Sequence, residues 1–219
     1  MEKFVKLNFK EISPKEMISK SKDFFNIIKT RRTVREFSTK EVPKEVIENC
    51  ILAANSAPSG ANKQPWHFVI VKNKDIKRRI RIEAEKEEKE FYNHRATQEW
   101  LQDLEQFATN ERKPFLEEAP YLIAIFEEKY SFDEEGKKHK NYYVKESIGI
   151  ATGFLITALH YCGLATLTHT PSPMDFLNEI LQRPRNEKPF LLLVAGYPKE
   201  GTRVPNIKRK LFEEIATVL

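Results

Sequence analysis

Glycine is scarce in this chain, with seven in 219 residues. No G-x-G-x-x-G run follows an apolar strand-like stretch, so a Rossmann dinucleotide site is not expected. Cysteine is scarcer, with only Cys50 and Cys162. Each sits in an apolar helical pattern, and two buried free thiols are expected rather than a disulfide or a metal site. That usage fits a reducing compartment, the cytoplasm. No apolar run reaches the roughly 18 residues of a membrane span. The opening stretch lacks the apolar core of a signal peptide or anchor, so a protein off the membrane is expected. Charge of one sign is never concentrated: 37 Lys and Arg stand against 32 Asp and Glu, for a net charge of +5. This mixing argues against a nucleic-acid surface, and a local preference for phosphate or other anions explains the balance equally well. Neither internal repeats nor low-complexity segments are present.

What is present suits one large domain covering 1–219, with 40% hydrophobic and 32% charged residues. Residues 1–13 read as an extended arm. Ser13 and Pro14 are placed as N-cap and first residue of a helix running to about Lys29. A second helix spans about 43–54. It runs into Ala57–Trp66, a loop of small residues whose backbone a flat ring can approach closely. His67–Val71 reads as a strand and Lys74 to about His94 as a charged helix. Trp100–Phe107 follows as a short helix and Tyr121–Phe126 as a buried strand. Asp133–Gly136 and the lysines after it suggest an exposed turn. Glu146–Tyr161 is apolar on nearly every side, which requires cover all round, as a core helix or a subunit interface. Strands at 164–170 and 190–198 flank a short helix at 173–182. Helices interspersed with three or four strands indicate an α+β fold.

Chemistry concentrates at Arg31-Arg32-Thr33-Val34-Arg35. Guanidinium forks bind phosphate oxygens in pairs and stay charged. On a helical turn Arg31 and Arg35 would share a face. A solvated basic helix end is the bland alternative. Glu88 and Tyr92 are also four apart on a helix. Together with Lys113 they supply an acceptor for an ammonium and two donors for a carboxylate. Taken alone, Glu88 is one of several acidic residues on a solvated face and Lys113 one surface lysine among many.

The Arg31–Arg35 stretch, the Ala57–Trp66 loop, Tyr142-Tyr143-x-x-Glu146-Ser147, Thr168-His169-Thr170-Pro171 and Gly196-Tyr197-Pro198 occur in that order. Together they resemble the FMN-dependent nitroreductase superfamily, and within it the iodotyrosine deiodinases, over roughly residues 20–215. The resemblance implies a central, mostly antiparallel sheet flanked by helices. It also implies an intertwined homodimer with FMN between the subunits and a C-terminal extension, 199–219, reaching the partner. Arg31, Arg32, Thr33, Arg35 and Arg209 match its FMN-contacting positions. Ser59 and Gly60 match loop residues at the flavin. Thr170 matches the hydroxyl donor to flavin N5, with Thr168 and His169 flanking it. Ala61 matches the backbone N–H that meets a substrate phenolate. Glu88, Tyr92 and Lys113 match the substrate lid, about residues 86–113, expected to be mobile until ligand closes it.

The implied activity is reductive removal of halide from halotyrosines. A nitroreductase or quinone reductase using NAD(P)H directly is the alternative. A BluB-like flavin-destroying enzyme and a flavin-binding storage or regulatory protein are further options.

Overall fold

The computed structural model describes residues 3–107 and 109–219. Residues 1 and 2 of the expected arm, and residue 108 of the expected lid, lie outside them. The chain divides into two compact units, one ending at Arg31 and the other beginning at Arg32. The first unit is built on α1 (Pro14–Ile28). Ser13 caps it as expected, its Oγ accepting the Glu16 N–H at 3.3 Å, and Pro14 opens it. No residue of α1 is buried, although Met17, Ile18, Phe24 and Phe25 lie along it.

The second unit is organised by a four-stranded sheet of order β1-β2-β6-β5, antiparallel throughout. Its strands are β1 (Trp66–Val71), β2 (Tyr121–Glu128), β5 (Ala165–His169) and β6 (Glu187–Gly196). Helices α2 (Lys44–Asn55), α3 (Lys74–Glu90), α4 (Gln98–Glu105), α5 (Phe115–Glu118), α6 (Val144–Tyr161), α7 (Phe176–Ile180) and α8 (Phe212–Ile215) complete it. Alternation along β2 explains the layering. Leu122, Ala124 and Phe126 join one core with Ile80, Leu116 and Leu177, while Tyr121, Ile123 and Ile125 join another with Ile47, Ile148 and Leu155. A strand covered on both faces reads as a continuous apolar run rather than an alternating one. That is why Tyr121–Phe126 looks uniformly buried in the sequence, and it is.

Several expectations need correction. The lysines after Gly136 are not a plain turn: β3 (Tyr130–Phe132) and β4 (Lys138–Lys140) pair as a hairpin. The long charged helix does not run unbroken to His94, because α3 ends at Glu90 and a π-helical turn covers Phe91–Arg95. Of the two readings of α6, the core helix covered on every side does not hold within this unit. Ser147, Ile148, Ala151, Thr152, Leu155 and Leu159 are buried, whereas Ile150, Phe154 and Tyr161 are exposed. Cys162 is exposed, not buried, because it sits just past the helix end. Among the described residues no helix is long and apolar enough to cross a membrane.

Leu155 is fully buried between α6 and the sheet. Leu155→Ala is expected to lower unfolding free energy by about 2–5 kcal/mol. A urea midpoint equal to that of the parent protein would contradict this packing.

Candidate active site

The arginine stretch is not helical. α1 stops at Ile28, and Arg31 closes the first unit with its N–H bonded to Ile28 O at 3.1 Å. From Arg32 the chain is extended, so the shared helical face of Arg31 and Arg35 does not exist. Backbone pairing is the reason. Thr33 bridges Thr166 in parallel, and the Val34 N–H bonds Thr166 O at 3.2 Å. Further on, the Ser38 N–H bonds Tyr197 O at 2.9 Å. The run is thus stitched to β5 and to the chain after β6, with Val34 and Phe37 in the core. Arg32, Thr33 and Arg35 stay partly exposed. Arg32 also donates to Pro205 O, tying the C-terminal segment to this run. Arg209 lies exposed further along that segment.

β5 ends at His169, with Thr168 and Thr170 exposed and His169 buried between them in sequence. Alternation on a strand places the two threonines on one face and His169 on the other. The His169 ring meets Phe115 edge-on at 5.6 Å.

α3 carries Glu88 to this same region. Lys113, in the turn before α5, pairs with Glu88 at 3.0 Å, and His169 Nδ1 lies 3.8 Å from the other Glu88 oxygen. The side chains of Glu88 and Lys113 are only 14% and 5% exposed. Lys113 is further held by its N–H to Glu85 Oε1 at 2.7 Å and by its ammonium donating to Asn110 O. Burial pushes His169 down to about 3, with the Lys113 charge acting in the same direction. Its imidazole is therefore neutral, and 3.8 Å is a contact rather than a hydrogen bond. Nε2 of His169 is buried without a partner among the described residues.

Tyr92 stands over Lys113, with the ammonium 5.6 Å from its ring centre. Burial raises its phenol, against a hydrogen bond with Thr109, so it is a donor at neutral pH. Arg35 is near enough to Tyr92 for the two to interact electrostatically. Its guanidinium lies over Phe107 at 5.7 Å, burial lowers it, and Tyr92 opposes that shift. Phe91 packs edge-on against both Tyr92 and Trp100. The structure thus gathers Glu88, Lys113, His169, Tyr92 and Arg35.

The loop from Ser59 has its own constraints. Ser59 Oγ accepts the Gln64 N–H at 2.9 Å, which closes the loop on itself. Ala61, Asn62 and Gln64 adopt positive φ of 49°, 53° and 47°. A Cβ at Gly60 would lie 2.9 Å from both Tyr142 O and Tyr143 Cδ2, so no side chain fits there. Sequence reasoning missed Phe107 as the partner of Arg35. An aromatic residue following the Trp100–Leu104 helical pattern was the available signal. It also missed the left-handed run at Ala61, for which the sequence of that residue gives no sign.

Comparison with known proteins places these features in context. The Nitroreductase family model matches residues 28–197. The iodotyrosine deiodinase of Haliscomenobacter hydrossis is 56% identical over 200 residues, covering 91% of this chain and 90% of that protein. Human iodotyrosine deiodinase 1 is 43% identical over 202 residues, covering 92% of this chain and 70% of its own. A crystal structure of oxidized iodotyrosine deiodinase bound to FMN and 3-iodo-L-tyrosine superposes with a TM-score of 0.75 at 32% identity, covering 89% of this chain and all of that one.

A buried neutral His169 makes the fold acid-sensitive. Its folded value, about 3, lies below the ordinary 6.5. The unfolded chain then binds the extra proton in between, so the contribution is complete above 6.5 and is lost as pH falls toward 3. His169→Asn is expected to remove about 2 kcal/mol of the stability loss between neutrality and about pH 4.5. Parallel stability-against-pH curves for the two proteins would refute it.

Proposed function

The chain belongs to the nitroreductase family, on its iodotyrosine deiodinase branch, and on that premise we propose that it removes halide reductively from halotyrosines with FMN. The observation that carries this reading is the sequestered Glu88–Lys113 pair, 3.0 Å apart, beneath Tyr92. A free amino acid brings one ammonium and one carboxylate. It can replace the internal ion pair by exchange, its ammonium on Glu88 and its carboxylate on Lys113 and the Tyr92 hydroxyl. No charge is then left buried and unmatched.

The residues present fit the cofactor. Gly60 lets the loop pack directly against Tyr142 and Tyr143, which fixes the backbone course of Ser59 and Ala61. Arg35 is half-buried against a ring, where a guanidinium keeps its forked donors for an anion. Arg32, Thr33, Arg35 and Arg209 would hold the phosphate and flavin edge, with Ser59 and Gly60 along the ring and Thr168 beside it. When bound, FMN supplies the electrons for carbon–halogen cleavage. The Thr170 hydroxyl would hold a proton toward flavin N5. The Ala61 N–H would meet the substrate phenolate and so favour the ionised phenol. An ordinary tyrosine titrates at about 10, and an ortho halogen makes the phenol more acidic, so the halogenated substrate is preferred over its product. The 86–113 segment would close on the ligand, and its Phe91, Tyr92 and Trp100 rings would exclude water.

We assign a homodimer on the same footing. Ile150, Phe154 and Tyr161 form an uncovered stripe on α6, and Ile207, Leu211, Phe212 and Ile215 are exposed along the C-terminal segment. Apolar surface of this extent calls for a partner, and a second copy places both stripes in one interface.

Under anaerobic conditions, protein with reduced flavin is expected to release iodide from 3-iodotyrosine. Glu88→Gln should lower kcat/KM for that release by about thirtyfold or more, as expected for losing one member of a buried charge pair. Reduction of a nitroaromatic, which has no zwitterion, should be spared. Equal losses on both substrates would sink the assignment of Glu88. A parent protein that releases no iodide while reducing nitroaromatics briskly would sink the activity itself.

A further inference from the structure

Helices α2 and α6 pack together on one face of the sheet. Cys50 lies on the buried side of α2 and Cys162 directly follows α6, and their sulfurs are 3.9 Å apart. Cys50 is closed to solvent while Cys162 is exposed. At about 100° per residue, Cys162 is turned a quarter of the way round from Tyr161. It therefore faces α2 and not the Ile150–Phe154–Tyr161 stripe assigned to the second copy. Neither thiol has a place in the proposed deiodination.

We propose that Cys50 and Cys162 form an oxidisable dithiol site whose substrate is a low-molecular-weight disulfide. The exposed Cys162 thiolate attacks one sulfur of that disulfide, whose S–S bond breaks and releases one small thiolate. The Cys50 thiol then loses its proton and attacks the Cys162 sulfur of the mixed disulfide. The second small thiol leaves, and a Cys50–Cys162 bond remains. Two protein thiols are oxidised, and one small disulfide is reduced to two thiols. With one thiol open to solvent, the pair would be redox-responsive rather than a permanent staple. Oxidation would pin the end of α6 to α2, the helix that leads into the Ser59–Gln64 loop. Burial, reinforced by the neighbouring Cys162, pushes Cys50 up to about 12. The second step needs the buried Cys50 to give up its proton away from water and is the slow one.

The test uses the full chain as purified, incubated with oxidised glutathione, quenched with acid and weighed without reductant. The parent protein is expected to lose the mass of two hydrogen atoms, and neither cysteine should then react with iodoacetamide. Proteolysis should yield the Cys50 peptide joined to the Cys162 peptide. Closure should accelerate by about tenfold per pH unit above neutrality, because it requires the Cys50 thiolate. Cys50→Ser should stop at a glutathione adduct on Cys162. A parent protein that keeps that adduct, joins two chains through Cys162, or retains two alkylatable thiols overturns the proposal.

Discussion

A lysine ammonium withdrawn from water needs a counter-charge close by, and in this fold Lys113 has Glu88. Removing each ion from water costs several kcal/mol even after relaxation, and the attraction between them repays this only with good geometry and further hydrogen bonds. Both conditions hold: the pair is 3.0 Å apart, and Lys113 also donates to Asn110 O and Thr109 Oγ1. The pair joins the chain before α5 to α3, next to His169 at the end of β5. It is also the feature a zwitterion can replace charge for charge. A ligand lacking either its ammonium or its carboxylate would leave one member of the pair stranded. On the proposed reading, selectivity for a free amino acid would follow from that penalty as much as from new contacts.

The sheet makes this possible by fixing where β5 ends. β2 and β6 are buried on both faces, which makes their register costly to change. β5 pairs with β6, and the Thr33–Ser38 run is bonded to β5 through Val34 and to Tyr197 through Ser38. Arg35 and His169 are therefore placed by strand pairing, while Glu88 and Tyr92 are placed by α3 and the π-helical turn that follows it. Strand pairing and a helix thus carry the two groups of residues, and Lys113, from a third segment, joins them. Such placement keeps a site precise without burying loop backbone.

Much of this was legible in the residues. Ser13 and Pro14 marked the start of α1, and apolar spacing located α2 and α6. The unbroken apolar run Tyr121–Phe126 announced a central strand. Charge and spacing joined Glu88 to Tyr92. Their meeting with Lys113, 25 positions from Glu88 and on another element, came from the family pattern and not from periodicity. The end of α1 near Lys29 was legible, but the course of the arginine stretch after it was not, because local sequence cannot register a bridge partner such as Thr166. The uncovered stripe on α6 has the reverse cause. Composition pointed to cover on every side, from a core or from a second subunit, and could not say which, because the helix's own unit covers only one side.

The loop that joins α2 to β1 shows where sequence reading stops for a physical reason. Left-handed backbone at a residue other than glycine costs on the order of 1–3 kcal/mol, somewhat less for asparagine, and persists only when its surroundings over-determine it. Ala61, Asn62 and Gln64 all adopt it. The surroundings are visible: Gln64 N–H to Ser59 Oγ at 2.9 Å, Asn62 N–H to Ser59 O at 3.0 Å, and Trp66 Nε1–H to Asn55 Oδ1 at 3.0 Å. The glycine in this loop does not take the left-handed turn. It sits where a Cβ would strike Tyr142 and Tyr143, so its role is clearance rather than flexibility. Strain has therefore been placed on residues with ordinary side chains, and glycine spent on closeness. A loop built this way fixes the orientation of its backbone, and the role proposed for Ala61 draws on its N–H rather than on its side chain.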